Sequence, residues 1–265
     1  MAQFDDRSLG VETTERDDAV DEGLRSYMLR VYNYMAGGVA LSGLVAYAIF
    51  ALSTTGDPAL AASSGGNVVG LRTGLHLTPF GYALFATPLM WIVALAPLAF
   101  VILLSWRIDR MSVSAANVAF WLFAAVMGAS LSTIFLRFTA TSISQVFFIA
   151  ASTFGALSVL GYVTRKDLSG WGAFLIMGVV GIVVAALVNI FLQSSALQFA
   201  ISVIGVLVFG ALTAYDTQRI KDNYVAVQKD GTAVNKAAIM GALSLYLDFI
   251  NLFVSLLQLL GNRQE

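Results

Sequence analysis

Two aspartates, Asp216 and Asp248, lie inside long apolar stretches of this sequence, whereas the other carboxylates fall in the first 24 residues, in polar connections or at the chain end. An Asp at the centre of a membrane helix costs about 2.5–3.5 kcal/mol on insertion scales, so it normally faces a bundle interior or water. Two carboxylates close together in a medium of low dielectric cannot both ionise easily. Such a pair can share a proton, bind a cation or be neutralised by an arginine.

Polar side chains near the two aspartates offer a weak cation site. Asn251 lies three residues beyond Asp248 on the same helix face, and further oxygens come from Ser244, Tyr215, Tyr246 and Gln218. Hard oxygen ligands suit Ca2+, but a tight site takes about six to eight of them. We therefore predict weak Ca2+ binding at the aspartates, which suits conduction because the ion must also leave.

A positive charge is the other partner that the pair could use. The candidates are Arg110 and Arg107, at the end of the second apolar stretch. Two plainer interpretations stay open on the residues alone. The aspartates could form a structural ion pair that holds the second, sixth and seventh helices together, or Asp216 could simply reach the membrane surface.

The composition requires these residues to be positioned by membrane helices. The chain has 265 residues, of which 58% are hydrophobic and 12% charged, and its mean hydropathy is +0.80; a soluble domain carries about 25% charged residues. The stretch Leu168–Tyr215 is free of charge over its whole length and must contain two crossings, because about 20 residues span the hydrocarbon core. The alternating segments of a barrel are not seen. These features predict an all-α polytopic membrane protein, a bundle of about seven transmembrane helices.

Residues 25–265 form the predicted transmembrane domain, and residues 1–24 an acidic, mostly disordered tail. A polar break at Gln193-Ser194-Ser195 separates the fifth and sixth spans, and Pro97 predicts a kink in the second. The predicted spans are Val31–Leu52, Pro88–Trp106, Ala115–Leu136, Ser144–Thr164, Trp171–Leu192, Leu197–Arg219 and Ala237–Leu260.

The loop charges predict the orientation. With seven crossings, twelve of the fifteen Lys and Arg residues fall on the side of the N-terminus, which the positive-inside rule places in the cytoplasm, with the C-terminus outside. The net charge of −1 gives no indication of nucleic-acid binding. The absence of cysteine excludes disulfides and thiolate metal sites, and His76 is expected in a loop without metal partners. We expect no cofactor.

The segments AYDTQ, around Asp216, and ALSLYLDFINLF, around Asp248, resemble the signatures of the transmembrane Bax inhibitor motif family, in its bacterial branch. The resemblance covers about residues 25–261. It implies a seven-helix fold with a central, mostly enclosed last helix in the bacterial inner (plasma) membrane. It also implies a pH-sensitive aspartate pair and a calcium leak, with an arginine of the second helix as a latch on Asp216. Arg110 matches the latch better than Arg107, by its spacing to Gly128.

Three functions were weighed against these residues. The first is a pH-sensitive leak for Ca2+ or another cation, with the lipid bilayer, Ca2+ and protons as its partners. The second is a membrane interaction protein that modulates a membrane protease, as some bacterial relatives do, or a stress or cell-survival response, without conducting ions. An intramembrane aspartyl protease also needs two aspartates on neighbouring helices, but the Gly-rich context expected beside the catalytic residue is absent at Asp248. We therefore expect no enzymatic activity.

Overall fold

The protein is described by a computed structural model that covers residues 5–64, 67–72, 74–107 and 110–264, with the side chains of its first helix described from Glu22 onwards. The predicted disordered tail is residues 1–24, and the side chains of most of these residues are not described, so its disorder stays a prediction. The helices are α1 (Asp5–Ser53), α2 (Pro79–Phe85), α3 (Leu89–Arg107), α4 (Val113–Leu131), α5 (Ile134–Arg137), α6 (Ala140–Val163), α7 (Gly172–Leu192), α8 (Ser195–Val227) and α9 (Gly231–Leu260).

Six stretches of the described chain are long and apolar enough to cross a membrane, and α2 together with α3 makes a seventh if this bent pair is one span. The pair is bent by 62° at the break that contains Pro88. Counted as one span, the pair begins at Pro79, earlier than predicted, and its bend lies before α3. Pro97 lies within the continuous helix α3. The prediction of an all-α polytopic membrane protein is confirmed.

Polar residues at the helix ends explain where several helices begin and stop. The predicted break between the fifth and sixth spans is present: α7 ends at Leu192, and Gln193 takes a left-handed conformation with φ of 48°. The Ser194 side chain then accepts a hydrogen bond from the Leu197 N–H and caps α8. Asp230 caps α9 in the same way through the Thr232 N–H.

The last helix, α9, lies at the centre of the bundle. It packs against α1, α4, α6 and α8, and side chains such as Leu245, Tyr246 and Leu252 have no exposed surface. In contrast, α7 lies at the periphery, where it packs mainly on α8 and buries only Gly172 and Leu175. The position of α9 matters because it carries Asp248.

The connection between α1 and α2 contains short strands that the sequence analysis did not predict. Their bounds are β1 (Thr54–Thr55), β2 (Ser63–Ser64), β3 (Asn67–Val68), β4 (Gly70–Arg72) and β5 (Leu75–Leu77). β5 is the middle strand of a small antiparallel sheet in the order β1-β5-β4, and β2 pairs with β3. His76 lies in β5 opposite Thr55. A backbone hydrogen bond of 3.0 Å from the Thr78 N–H to the Ser53 carbonyl closes the base of this connection.

Candidate functional site

Asp216 of α8 and Asp248 of α9 lie side by side on two antiparallel helices, with their carboxyl groups within hydrogen-bonding reach of each other. Asp248 is 5% exposed, whereas Asp216 is only partly buried. An ionised carboxylate can only accept a hydrogen bond, so a bond between two carboxyl groups requires a proton on one of them. The placement therefore suits an acid pair that shares one proton. The second oxygen of Asp248, Oδ2, is buried and has no hydrogen-bond partner among the described residues.

A cavity of about 610 Å³ connects Asp216 to one end of the bundle. We call this end the basic end and define it by residues 164–171 and 228–230, which connect α6 to α7 and α8 to α9. The cavity lies between α8, α9 and the first of these connections. Asp248 lies one turn beyond Ser244, which is the deepest residue of α9 in the cavity wall. The lining residues are Ser169, Tyr215, Asp216, Gln218, Arg219, Ile220, Asp222, Asn223, Ala237, Met240, Gly241 and Ser244.

Gln218 fastens the α6–α7 connection to α8 beside this cavity. Its Oε1 accepts a hydrogen bond from the Leu168 N–H at 2.8 Å, and its Nε2 donates to the Lys166 carbonyl at 2.9 Å. One turn further along α8, the Lys221 ammonium donates to the Tyr162 carbonyl at 2.9 Å and lies over the Tyr162 ring. Side chains of α8, the helix that carries Asp216, thus hydrogen-bond to backbone groups of α6 and of the α6–α7 connection beside the cavity.

The predicted supporting residues divide into two groups. Tyr215 and Ser244 line the cavity with Asp216. Tyr246 instead points to α1, where its hydroxyl and the Ser42 hydroxyl are 2.6 Å apart. The Asn251 amide donates to the Leu247 carbonyl of its own helix at 2.8 Å.

The predicted latch residues, Arg110 and Arg107, are both exposed and line a separate cavity of about 280 Å³ with Trp106 and Met111. The cation that interacts electrostatically with Asp216 is Arg219, one turn further along α8. Sequence reasoning missed this neighbour, although its i, i+3 spacing was the signal that could have revealed it. The assignment of an arginine from the second span as the latch stays a prediction.

No cluster of three or more His, Cys, Asp or Glu side chains that could hold a metal ion occurs within the described parts of the chain. Asp216 lines the cavity, Asp248 lies one turn beyond its wall, and Asp222 is a further carboxylate of the lining. The pair Asp216 and Asp248 falls short of the six to eight oxygen ligands of a tight Ca2+ site. Any cation that enters must complete its shell with water, carbonyl or hydroxyl oxygens.

Comparison with known proteins identifies the family. Residues 24–265 match the sequence profile described as Inhibitor of apoptosis-promoting Bax1, and this range includes both aspartates and all the spans except the first two residues of the first one. The chain belongs to this family. The resemblance seen in the segments around Asp216 and Asp248 is thereby confirmed.

Similar proteins occur in bacteria, and three of them match this chain over more than 90% of their own length. The chain is 40% identical to the inner membrane protein YbhL of Escherichia coli, over 91% of this chain and 94% of that protein. It is 42% identical to an uncharacterized protein of Caulobacter vibrioides, over 94% and 93% of the two chains. A protein of Rickettsia prowazekii, RP147, is 41% identical over 96% of both.

Proposed function

We propose that this protein is a pH-sensitive leak for Ca2+ or a similar cation, controlled by the pair Asp216 and Asp248. The observation that carries the proposal is the close approach of the two carboxyl groups, with Asp216 in the wall of a cavity that opens at the basic end of the bundle and Asp248 one turn beyond that wall. A buried acid pair with access from one side can hold either a proton or a cation. Few fixed oxygens surround it, so binding is weak enough for the ion to leave.

In the proposed mechanism, the shared proton keeps the path closed. While the proton bridges Asp216 and Asp248, it holds α8 against α9 and leaves little negative charge for a cation. On another face of α9, toward α4, the fully buried Tyr246 packs against the rings of Phe120 and Phe123. A change in the protonation of the pair alters both the affinity for the cation and the attachment of α8 to α9.

The location in the membrane is part of the same proposal. The excess of Lys and Arg at the basic end favours a cytoplasmic position for it, with the C-terminus outside. The relative in Escherichia coli is named an inner membrane protein, and we assign this chain to the bacterial inner membrane. The cavity then opens toward the cytoplasm, and the shared proton responds to cytoplasmic pH.

The test is Ca2+ flux into proteoliposomes across pH 5–8, for the wild type and for the variants Asp216→Asn and Asp248→Asn. Flux that changes with pH in the wild type and is lost or becomes insensitive to pH in both variants is the expected result. Asp222→Asn is the matched control, because Asp222 lines the same cavity outside the pair. Its pH response should stay that of the wild type.

The direction of the pH response identifies which effect dominates. A fall in flux on acidification means that the loss of the carboxylate that binds the ion is the larger effect. A rise in flux means that the release of α8 from α9 is the larger effect. Flux that is constant from pH 5 to pH 8 contradicts the mechanism. Folded protein without flux at any pH would instead favour the membrane interaction protein as the function.

A further inference from the structure

A row of polar side chains on α9 continues past Asp248 toward the end of the bundle opposite the basic end. Ser244, Asp248, Asn251, Ser255 and Gln258 follow one another at intervals of three or four residues, which places them along one stripe of the helix. From Ala237 to Leu260 the other residues of this central helix are apolar, except for the Tyr246 hydroxyl, and largely buried. Polar groups inside a membrane helix normally face a partner or a water-filled space.

Three contacts show that this stripe lies along α8. At the basic end, a Cβ atom on Gly241 would lie 3.1 Å from the Ile220 side chain. In the middle, the two aspartates lie side by side. Further on, a Cβ atom on Gly205 would lie 2.5 Å from the Ser255 hydroxyl. In these three contacts the residue number falls along α8 as it rises along α9. The two helices therefore share an antiparallel seam along most of their length.

The seam remains polar on the side of α8. Ser202 lies one turn from Gly205 and is 2% exposed, and its hydroxyl donates to the Gln198 carbonyl at 2.9 Å. The Gln198 amide in turn bonds the Ser202 hydroxyl at 3.4 Å. We use the name polar seam for six residues of the two helices, which are Gln198, Ser202, Gly205, Asn251, Ser255 and Gln258.

The Ser255 hydroxyl distinguishes the seam from ordinary packing between membrane helices. Hydroxyl and amide groups often hold such helices together through hydrogen bonds. No hydrogen bond of the described residues involves the Ser255 hydroxyl, although the residue is only partly exposed and lies in the apolar part of α9. An unpaired hydroxyl in hydrocarbon is unfavourable. Water within the seam would supply the missing partner.

We propose that the polar seam is the second half of the ion path, along which a hydrated cation passes between Asp248 and the end of the bundle opposite the basic end. This inference rests on the proposed function and extends it to the route. Amide and hydroxyl oxygens are hard ligands that hold such an ion weakly. Between Asp216 and Gly205, the same stripe of α8 carries the buried side chains of Leu212 and Phe209. In the structure described, these two side chains separate the aspartate pair from the seam.

Cysteine accessibility tests the route without depending on ion flux. The chain contains no cysteine, so Ser255→Cys and the control Val254→Cys each introduce a single thiol, at neighbouring and partly exposed positions of α9. The probe is a charged, water-soluble thiosulfonate applied to proteoliposomes, with labelling read by mass. A thiol reacts as its thiolate, which forms in water and not in hydrocarbon, so Ser255→Cys should react at least about tenfold faster.

A second pair of variants tests whether the seam conducts. Gly205→Ala places a methyl group against the Ser255 hydroxyl, narrows the seam and should reduce Ca2+ flux. The double variant Gly205→Ala with Ser255→Ala removes the obstructing hydroxyl and should restore it. Flux that depends on Asp216 but is unaffected by Gly205→Ala, with an unreactive Ser255→Cys, overturns the seam and leaves the leak intact. A reactive Ser255→Cys in a protein without flux overturns the leak and the route together.

Discussion

Replacing Gln218 by alanine should open the connection between α6 and α7. The substitution removes the hydrogen bonds to the Leu168 N–H and the Lys166 carbonyl. Each bond contributes a net stabilisation of about 0.5–1.5 kcal/mol, so the pair contributes about 2 kcal/mol. Because each 1.4 kcal/mol is a factor of ten, the fraction of molecules with this connection open should rise roughly 30-fold.

Limited digestion with trypsin measures this opening directly, because the connection contains Arg165 and Lys166. When opening and closing are fast compared with cleavage, the cleavage rate follows the open population. The control is Gln228→Ala, since Gln228 lies just after the end of the same helix and its side chain makes a local bond to the Val225 carbonyl. Cleavage of Gln218→Ala at the same rate as the control would refute the idea that Gln218 holds this connection.

Two further changes test the surroundings of the pair. Gly161→Ala would drive a methyl group into the Ala214 carbonyl of α8 and should destabilise the protein by about 1–3 kcal/mol through overpacking; thermal unfolding in detergent measures this, and Gly155→Ala on the same helix, where a Cβ meets no atom within 4 Å, should not be destabilising. At the α6–α7 connection, hydrogen bonds from Ser169 hold the pKa of the Asp167 carboxylate below its usual range, so its stabilisation of the turn is present at neutral pH and is lost as the pH falls through that lowered pKa. Amide exchange at Ser169, corrected for the intrinsic rate, should show this loss of protection. The Asp167→Asn variant, whose side chain does not ionise, should lack this loss at every pH.

The sequence was sufficient to predict the spans because a charge-free stretch in a bilayer has few alternatives to a helix. It was also sufficient to single out Asp216 and Asp248, since a carboxylate inside such a stretch is costly. It did not reveal that α2 and α3 bend at Pro88, or that α8 continues to Val227. From Arg219 onwards the charged residues lower the hydropathy of the sequence, although the helix continues.

Tertiary contacts were beyond the reach of sequence patterns. The two bonds of Gln218 join it to residues about fifty positions away, and periodicity within one helix carries no information about such a partner. The strands between α1 and α2 have only two or three residues each. Alternation cannot be recognised over so short a length.

The length of α8 has a mechanical consequence. From Asp216 to Val227 the helix rises by about 16 Å, and the paired start of α9 is braced by the hydrogen bond between Arg30 and Asn235. The paired helices α8 and α9 therefore form a stiff arm that extends from the aspartates to the short turn at residues 228–230. Under the proposed mechanism, a sideways force on residues 228–230 would act as a torque on the contact between Asp216 and Asp248, the same contact on which the shared proton acts.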